Sequence, residues 1–318
     1  MMSGADVSRK ISVVIAVYNG APWIARAIES VLCQEPVVPE LIVVDDGSTD
    51  RTCEVVASYG DRLRLVQIPH GGVSAARNRG VAEARSDWVA FLDADDWYYP
   101  NRIADTLEAL EAYPGVDFVT GDFDYVDEEG RRLRSSMAGV PLGRRLLDRA
   151  AGAKLVRMEE EDFGGLIADH FGDTHTLTMR RELFQHLGGY STRYRVCEDV
   201  HLLVRLCAAS RSAAVVCRPM AAYFVRSGSA TRGDRVGAQQ QTVAAFTEVR
   251  GLVHAASPSL RRGIETALER ARWDYVYALL RQGRRQRALL LAAANLLRLP
   301  GSTSLRRFVG TVRGMKEG

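Results

Sequence analysis

Three aspartates crowd the end of an apolar run. "WVAFLDADDWYYP", Trp88 to Pro100, holds Asp93, Asp95 and Asp96. Carboxylates this close repel one another unless a cation neutralises them. Asp93 and Asp95 are separated by one residue, so an extended chain aims both to the same side. Two such carboxylates can share a hard cation, Mn2+ or Mg2+, and leave positions open for phosphate oxygens. An acidic turn before a helix is the plainer account of the same residues. A second acidic run end, "VVDDGSTD", offers Asp45 and Asp46 as acceptors for a nucleobase or ribose. There Ser48, Thr49 and Asp50 suit a helix cap. Arg77, in "SAARNRG", could reach phosphate or base, and Tyr18 ends the first apolar run. Glu198 and Asp199 open an amphipathic stretch, "CEDVHLLVRLCAA", where acids also suit a helix N-terminus.

These residues need elements to bring them together. "ISVVIAV" (Ile11–Val17), "ELIVVDD" (Glu40–Asp46), "LRLVQI" (Leu63–Ile68) and "WVAFLD" read as strands, and Val116–Asp127 reads as a fifth. The continuous β-branched runs among them suit strands buried on both faces. Helical stretches alternate with them: about Pro22–Gln34, a helix reaching Tyr59, Val73–Arg85 and Arg102–Gly115. This order predicts an α/β fold, a mostly parallel sheet with helices on both faces. Ligands of such sheets bind beyond the carboxyl ends of the strands, where Tyr18, Asp45, Asp46 and Asp93 to Asp96 all fall. Residues 128–173 are irregular. From about Gln239 onward the pattern is helical, with a hairpin around Gly283.

Four blocks in order resemble the family 2 inverting glycosyltransferases of GT-A fold. They are "SVVIAVYNGAPWIARAIESVLCQ", "ELIVVDDGSTDRT", "GGVSAARNRGVAEARSDWVAFLDADDWYYPNRI" and "GGYSTRYRVCEDVHLLVRL", which together span Ile11 to Leu206. The resemblance implies a nucleoside-diphosphate-sugar donor, with UDP-sugars favoured, and a divalent metal. It implies that Ala16 and Tyr18 line the nucleoside pocket, that Asp46 with Asp45 lies near the base, and that Arg77 lies near the nucleotide. It puts Asp93 near ribose and metal, and makes Asp95 the main metal ligand. Glu198–Asp199 matches the family's acidic pair, which supplies the catalytic base, and Asp199 is the favoured member. Where many relatives carry a histidine, Arg226 stands in "YFVRSGSAT". Arginine can bind diphosphate but cannot ligate a metal. His175, in "DTHTLTMRRELF", is a candidate substitute for acceptor or phosphate contact. The Gln-x-x-Arg-Trp motif of processive polymerases is absent, which implies one sugar per encounter.

Rival classes fit less well. A dinucleotide-binding oxidoreductase needs Gly-x-Gly-x-x-Gly after the first strand, and "AVYNGAPW" has only Gly20 there. A dehalogenase-type phosphatase would open on its Asp-x-Asp strand, not reach it fourth. A sugar nucleotidyltransferase shares the metal logic but releases pyrophosphate. A binding protein with a decayed site has no use for the intact acids.

Composition sets the remaining bounds. The 318 residues are 47% hydrophobic and 25% charged, which is ordinary for a folded protein. "MMSGADVSRK" lacks the apolar core of a signal peptide, no spanning helix is evident, and the five cysteines are scattered. The expectation is a cytoplasmic protein with reduced thiols. The net charge of +3 hides an asymmetry: Arg250 to Gly318 holds 14 Lys/Arg and 4 Asp/Glu, a net of +10, so residues 1–249 carry −7. We expect a GT-A catalytic domain over residues 1–238, with a nucleotide-binding half (about 10–127) and an acceptor-binding half (about 128–238). A basic helical region follows over 239–318. The basic region suits peripheral contact with the inner face of a membrane, or packing on the catalytic domain or on a second subunit of a homodimer. It lacks the aromatic interleaving of a nucleic-acid surface. The expected acceptor is a cell-surface or lipid-linked saccharide, with a peptide or small natural product as the alternative.

Overall fold

A computed structural model describes residues 11–226, 234–253, 256–298 and 302–314. The chain begins with β1 (Ile11–Val17), α1 (Ile24–Leu32), β2 (Glu40–Asp45), α2 (Thr52–Ala57), β3 (Arg64–Gln67), α3 (Val73–Glu83) and β4 (Trp88–Asp93). It continues through β5 (Trp97–Tyr98), α4 (Arg102–Ala112), β6 (Phe118–Gly121), β7 (Asp124–Val126), β8 (Arg132–Ser135), α5 (Pro141–Ala150), β9 (Leu155–Glu159) and α6 (Glu160–Asp169). Then come β10 (Thr178–Arg180), α7 (Arg181–His186), α8 (Glu198–Ala209), β11 (Ser212–Val216) and β12 (Ala221–Phe224). Four helices follow among the described residues: α9 (Arg235–Leu252), α10 (Pro258–Arg281), α11 (Arg285–Arg298) and α12 (Ser302–Gly314).

Eight strands form the main sheet in the order β3-β2-β1-β4-β10-β6-β11-β9. Strands β3, β2, β1 and β4 run parallel, as do β6 and β11, while β10 and β9 run antiparallel to their neighbours. The β1 run is apolar throughout because both its faces are covered. Val14 and Ala16 join the core under α3 and α8, and Val13, Ile15 and Val17 join the core under α1 and α2. Register does the positioning: Ala16 pairs with Val44 on one side and Asp93 on the other, and Val17 pairs with Asp45. The acids of β2 and β4 therefore end level with β1.

The strand expected over Val116–Asp127 is two strands in two sheets. β6 belongs to the main sheet, and β7 to a small sheet ordered β5-β12-β7-β8. The break falls at Asp122, whose carboxylate accepts hydrogen bonds from Ser135 Oγ, Ser136 Oγ and the Met137 amide. That bond set fixes a corner the alternation of residues does not reveal. Asp50 meets the capping expectation in part, since its carboxylate accepts the Thr52 amide at the start of α2 at 3.0 Å, whereas Ser48 and Thr49 differ from it. Arg51 occupies the cap of α2. Ser48 Oγ instead accepts the Asn19 amide, and the amides of Thr49 and Asp50 donate to Asn19 Oδ1, tying the loop after β2 to the loop after β1.

The basic C-terminal region is packed, not free. α10 crosses α6 at paired glycines: a Cβ on Gly263 would meet the Gly164 carbonyl oxygen at 2.1 Å, and one on Gly164 would meet the Ser259 carbonyl oxygen at 2.1 Å. The hairpin turns at Gly283, whose φ of 73° is open to glycine without strain.

Candidate active site

At the β1 and β2 ends, Tyr18 is half exposed, and its ring stacks on His70 with centroids 4.2 Å apart. Asp46 is buried. Its carboxylate accepts the Gly71 amide at 2.7 Å and the Gly72 amide at 2.8 Å, and it lies 2.9 Å from His70 Nδ1. Asp45 is equally buried and accepts Cys53 Sγ and the Ser48 amide through Oδ2. Asp46 thus shapes the loop after β3 and Asp45 the turn that leads from β2 into α2, while the Tyr18 ring is half exposed.

At the β4 end, one buried guanidinium organises two acids from distant segments. Arg77, on α3, donates through Nη2 to Asp93 Oδ1 and through Nη1 to Glu198 Oε1 at 2.9 Å. Its guanidinium also lies 4.9 Å from the Tyr190 ring centre. Burial alone would weaken its charge, but Asp93, Tyr190 and Glu198 outweigh burial and hold Arg77 well above its ordinary range. Asp95 accepts Arg226 Nε at 2.8 Å through Oδ2, and the Arg226 guanidinium covers the Trp23 ring at 4.3 Å. Asp96 lines the cleft at this strand end from a buried position. It accepts the Phe224 amide at 2.8 Å and lies 3.4 Å from His175 Nδ1.

Across the cleft, α8 begins on Cys197, a non-glycine residue at φ 72°. A left-handed residue of this type costs about 1–3 kcal/mol and persists where surrounding structure fixes it. It aims Glu198 and Asp199 into a cleft of about 480 Å³ whose walls also include Arg77, Asp93, Asp95, Asp173 and Arg226. Asp199 faces His170, with Nε2 3.9 Å from Oδ2. His170 closes α6, also at positive φ. His170, Asp173 and Asp199 offer ligand atoms within 4.8 Å of one another. Withdrawal from water, then the neighbouring Asp173 and Glu198, raise the Asp199 carboxyl well above the usual range. Asp173 goes the other way: His170 and His175 overcome its burial and lower it.

The residues picked from the sequence therefore fall in two groups. Arg77, Asp93, Asp95, Glu198, Asp199 and Arg226 line one cleft, and Ala16, Tyr18, Asp45 and Asp46 lie at the neighbouring strand ends. His175 is buried behind Asp96, edge-on to Phe123 at 4.3 Å, and is not among the residues lining the cleft.

The family model described as "Glycosyl transferase family 2" matches residues 12–188. The chain belongs to family 2 of the glycosyltransferases. This glycosyltransferase is 34% identical over 224 residues to the succinoglycan biosynthesis protein ExoO of Rhizobium meliloti (strain 1021), covering 70% of this chain and 62% of that protein. It is 32% identical over 205 residues to ExoU of the same organism, covering 61% of this chain and 56% of that one. The chain thus spans less than two thirds of either relative. Among solved structures, S. aureus TarS 1–349 in complex with UDP superposes with a TM-score of 0.64 at 16% identity, over 97% of this chain and 92% of that one. The mannosyltransferase PcManGT from Pyrobaculum calidifontis, in complex with GDP-Man and Mn2+, superposes with a TM-score of 0.59 at 18% identity, over 96% and 85%. Both likenesses show the fold.

Among the cleft residues that the sequence did not single out, His170 and Asp173 are the ones that approach Asp199. They stand in "DHFGDTH", and the available signal was that cluster of four titratable groups in an otherwise irregular stretch.

Proposed function

We propose that the protein moves one sugar, with inversion, from a nucleoside-diphosphate sugar, UDP-sugars favoured, to an acceptor hydroxyl of a cell-surface or lipid-linked saccharide. The observation that carries this reading is the single cleft in which the β4 acids face the start of α8, with Arg77 bonded to both sides. The family assignment and the succinoglycan relatives support the substrate class.

Asp199 acts as the base. Glu198 has one carboxylate oxygen committed to Arg77, whereas Asp199 has no such cation bonded to it among the described residues, and burial with the neighbouring Asp173 and Glu198 raises its proton affinity well above the usual carboxylate range. It takes the proton of the acceptor hydroxyl as that oxygen attacks the anomeric carbon from the face opposite the departing diphosphate. Arg77 stays charged and fixes Asp93 and Glu198. Arg226 lies beside Asp95, where it meets a diphosphate oxygen. Ala16, Tyr18, Asp45 and Asp46 form the nucleoside end, with the Tyr18 ring as a stacking surface.

The β4 acids also fit a divalent cation, Mn2+ or Mg2+. The donors are all carboxylate oxygens, the set hard cations prefer, and each guanidinium engages one oxygen of its aspartate, Oδ1 of Asp93 and Oδ2 of Asp95. Asp95 with Asp93 would hold the ion, which supplies neutralisation of charge developing on the leaving diphosphate. A second reading puts a cation on His170, Asp173 and Asp199, which would use Asp199 as a ligand. Calorimetric titration of UDP with and without Mn2+ tests both. Asp95→Asn abolishing the Mn2+ enhancement supports the first reading, and Asp173→Asn alone abolishing it supports the second. Equal nucleotide affinity with and without the ion removes both.

The C-terminal helices add peripheral membrane contact to this reading. Leu290 and Leu297, seven residues apart on α11, and Leu305 and Val309, four apart on α12, are exposed. Such spacing sets each pair on one helix face. Among the described residues no helix is long and apolar enough to cross a membrane.

A further inference from the structure

A second cleft, of about 530 Å³, lies among the C-terminal helices. Arg250 of α9, Arg272 of α10 and Arg298 of α11 line it, with Thr247, Val243 and a single acid, Glu265. Glu265 is 3.3 Å from Arg250 and half exposed. Three guanidiniums against one carboxylate leave an excess of positive charge in a concave site. Arg272 is the least satisfied: its Nε is buried with no hydrogen-bond partner among the described residues. Burial, then Arg298 and Arg250, push it below its ordinary range. Arg272 is half-buried, and a partly desolvated cation facing two like charges is disfavoured unless an anion compensates it.

We propose that this cleft binds a phosphate or diphosphate group. Arginine forks match phosphate oxygens two at a time, and three forks from three helices can surround one such group. An isolated carboxylate would satisfy one fork and leave the others facing each other. The site is separate from the catalytic cleft yet tied to it by α9: Thr242 lines the catalytic cleft, and Arg250 lies eight residues on, about 12 Å along the helix. The phosphate has two possible bearers, an anionic lipid headgroup or a soluble phosphorylated molecule.

Pyrophosphate titrated calorimetrically without divalent cation tests the site. The wild-type protein is expected to bind, and Arg272→Gln and Arg298→Gln to weaken binding about tenfold or more. Asp95→Asn, which alters the donor site, is expected to leave it unchanged, so the result stands whether or not the donor reading holds. Arg298 is exposed, so its replacement leaves the core intact, and an unchanged circular dichroism spectrum and thermal midpoint in both variants verify folding. Vesicles of phosphatidylglycerol, compared with phosphatidylcholine, identify the bearer. Sedimentation with the anionic vesicles, lost in the same two variants, assigns a lipid headgroup, and pyrophosphate binding without such sedimentation assigns a soluble ligand. Wild-type affinity retained by both arginine variants, or binding lost only in Asp95→Asn, overturns the proposal.

Discussion

Asp199 carries the sharpest expectation at the scale of single residues. Asp199→Asn should bind the donor normally and transfer at least about a hundredfold more slowly, because only the proton acceptor is lost. Glu198→Gln surviving better than Asp199→Asn separates the base from its neighbour, and the reverse order exchanges their roles. The pH profile gives a second test. Burial, Asp173 and Glu198 raise the Asp199 carboxyl, so it must lose a proton before it can act, and kcat/KM should rise with pH through that raised value. Asp173→Asn removes a like charge and should move this acid limb to lower pH. A limb that stays put in Asp173→Asn, measured across pH 4 to 8, would dissociate the titration from Asp199.

Helices make the next expectations. His201 sits on the far side of α8 from the cleft, buried, with Glu248, Arg205 and Arg193 around it. Burial and Arg205 lower its pKa from 6.5 to about 4. A depressed value means that the unfolded chain binds the proton first, so stability present above pH 6.5 is lost as pH falls toward 4. The loss should reach about 3 kcal/mol, and denaturant midpoints of His201→Gln should fall less over that window. At the α6–α10 crossing, Gly263→Ala forces a Cβ against the Gly164 carbonyl, backbone that cannot swing aside. It should cost about 1–3 kcal/mol, read as a lowered Tm. These elements show what the sequence could reveal. The parallel strands and their acidic ends were legible, because runs such as ISVVIAV suit only burial on both faces. The corner at Asp122, the role of Asn19 in joining two loops, and the approach of His170 and Asp173 to Asp199 were not. Each depends on contacts between segments far apart in the chain, and no local period records them.

Taken whole, the molecule presents an acidic body and a basic, partly apolar C-terminal face. Leu290→Ser with Leu297→Ser should reduce co-sedimentation with anionic vesicles severalfold while leaving sugar transfer to a soluble acceptor intact, since neither side chain is in the core. Salt should weaken the wild-type contact. Failure of the wild type to bind such vesicles at low salt, with a dimer that dissociates in the double variant, would assign this face to self-association. Cutting the chain near Ser257 is a poor substitute for these variants, because it also strips α10 from α6. The main sheet sets a similar limit on the first half. β10, three residues arriving about ninety positions after β4, lies between β4 and β6 and bonds to both. The two halves are therefore interleaved, like the teeth of a closed zip, and residue 127 is no place to part them. A fragment ending there would keep the acidic ends of β2 and β4, yet without β10 and β11 it would leave β4 bare on one edge and β6 bare on both, and such edges recruit one another. It should collect in inclusion bodies, and the sheet that carries these acidic strand ends would be complete only once the later residues have been synthesised and threaded home.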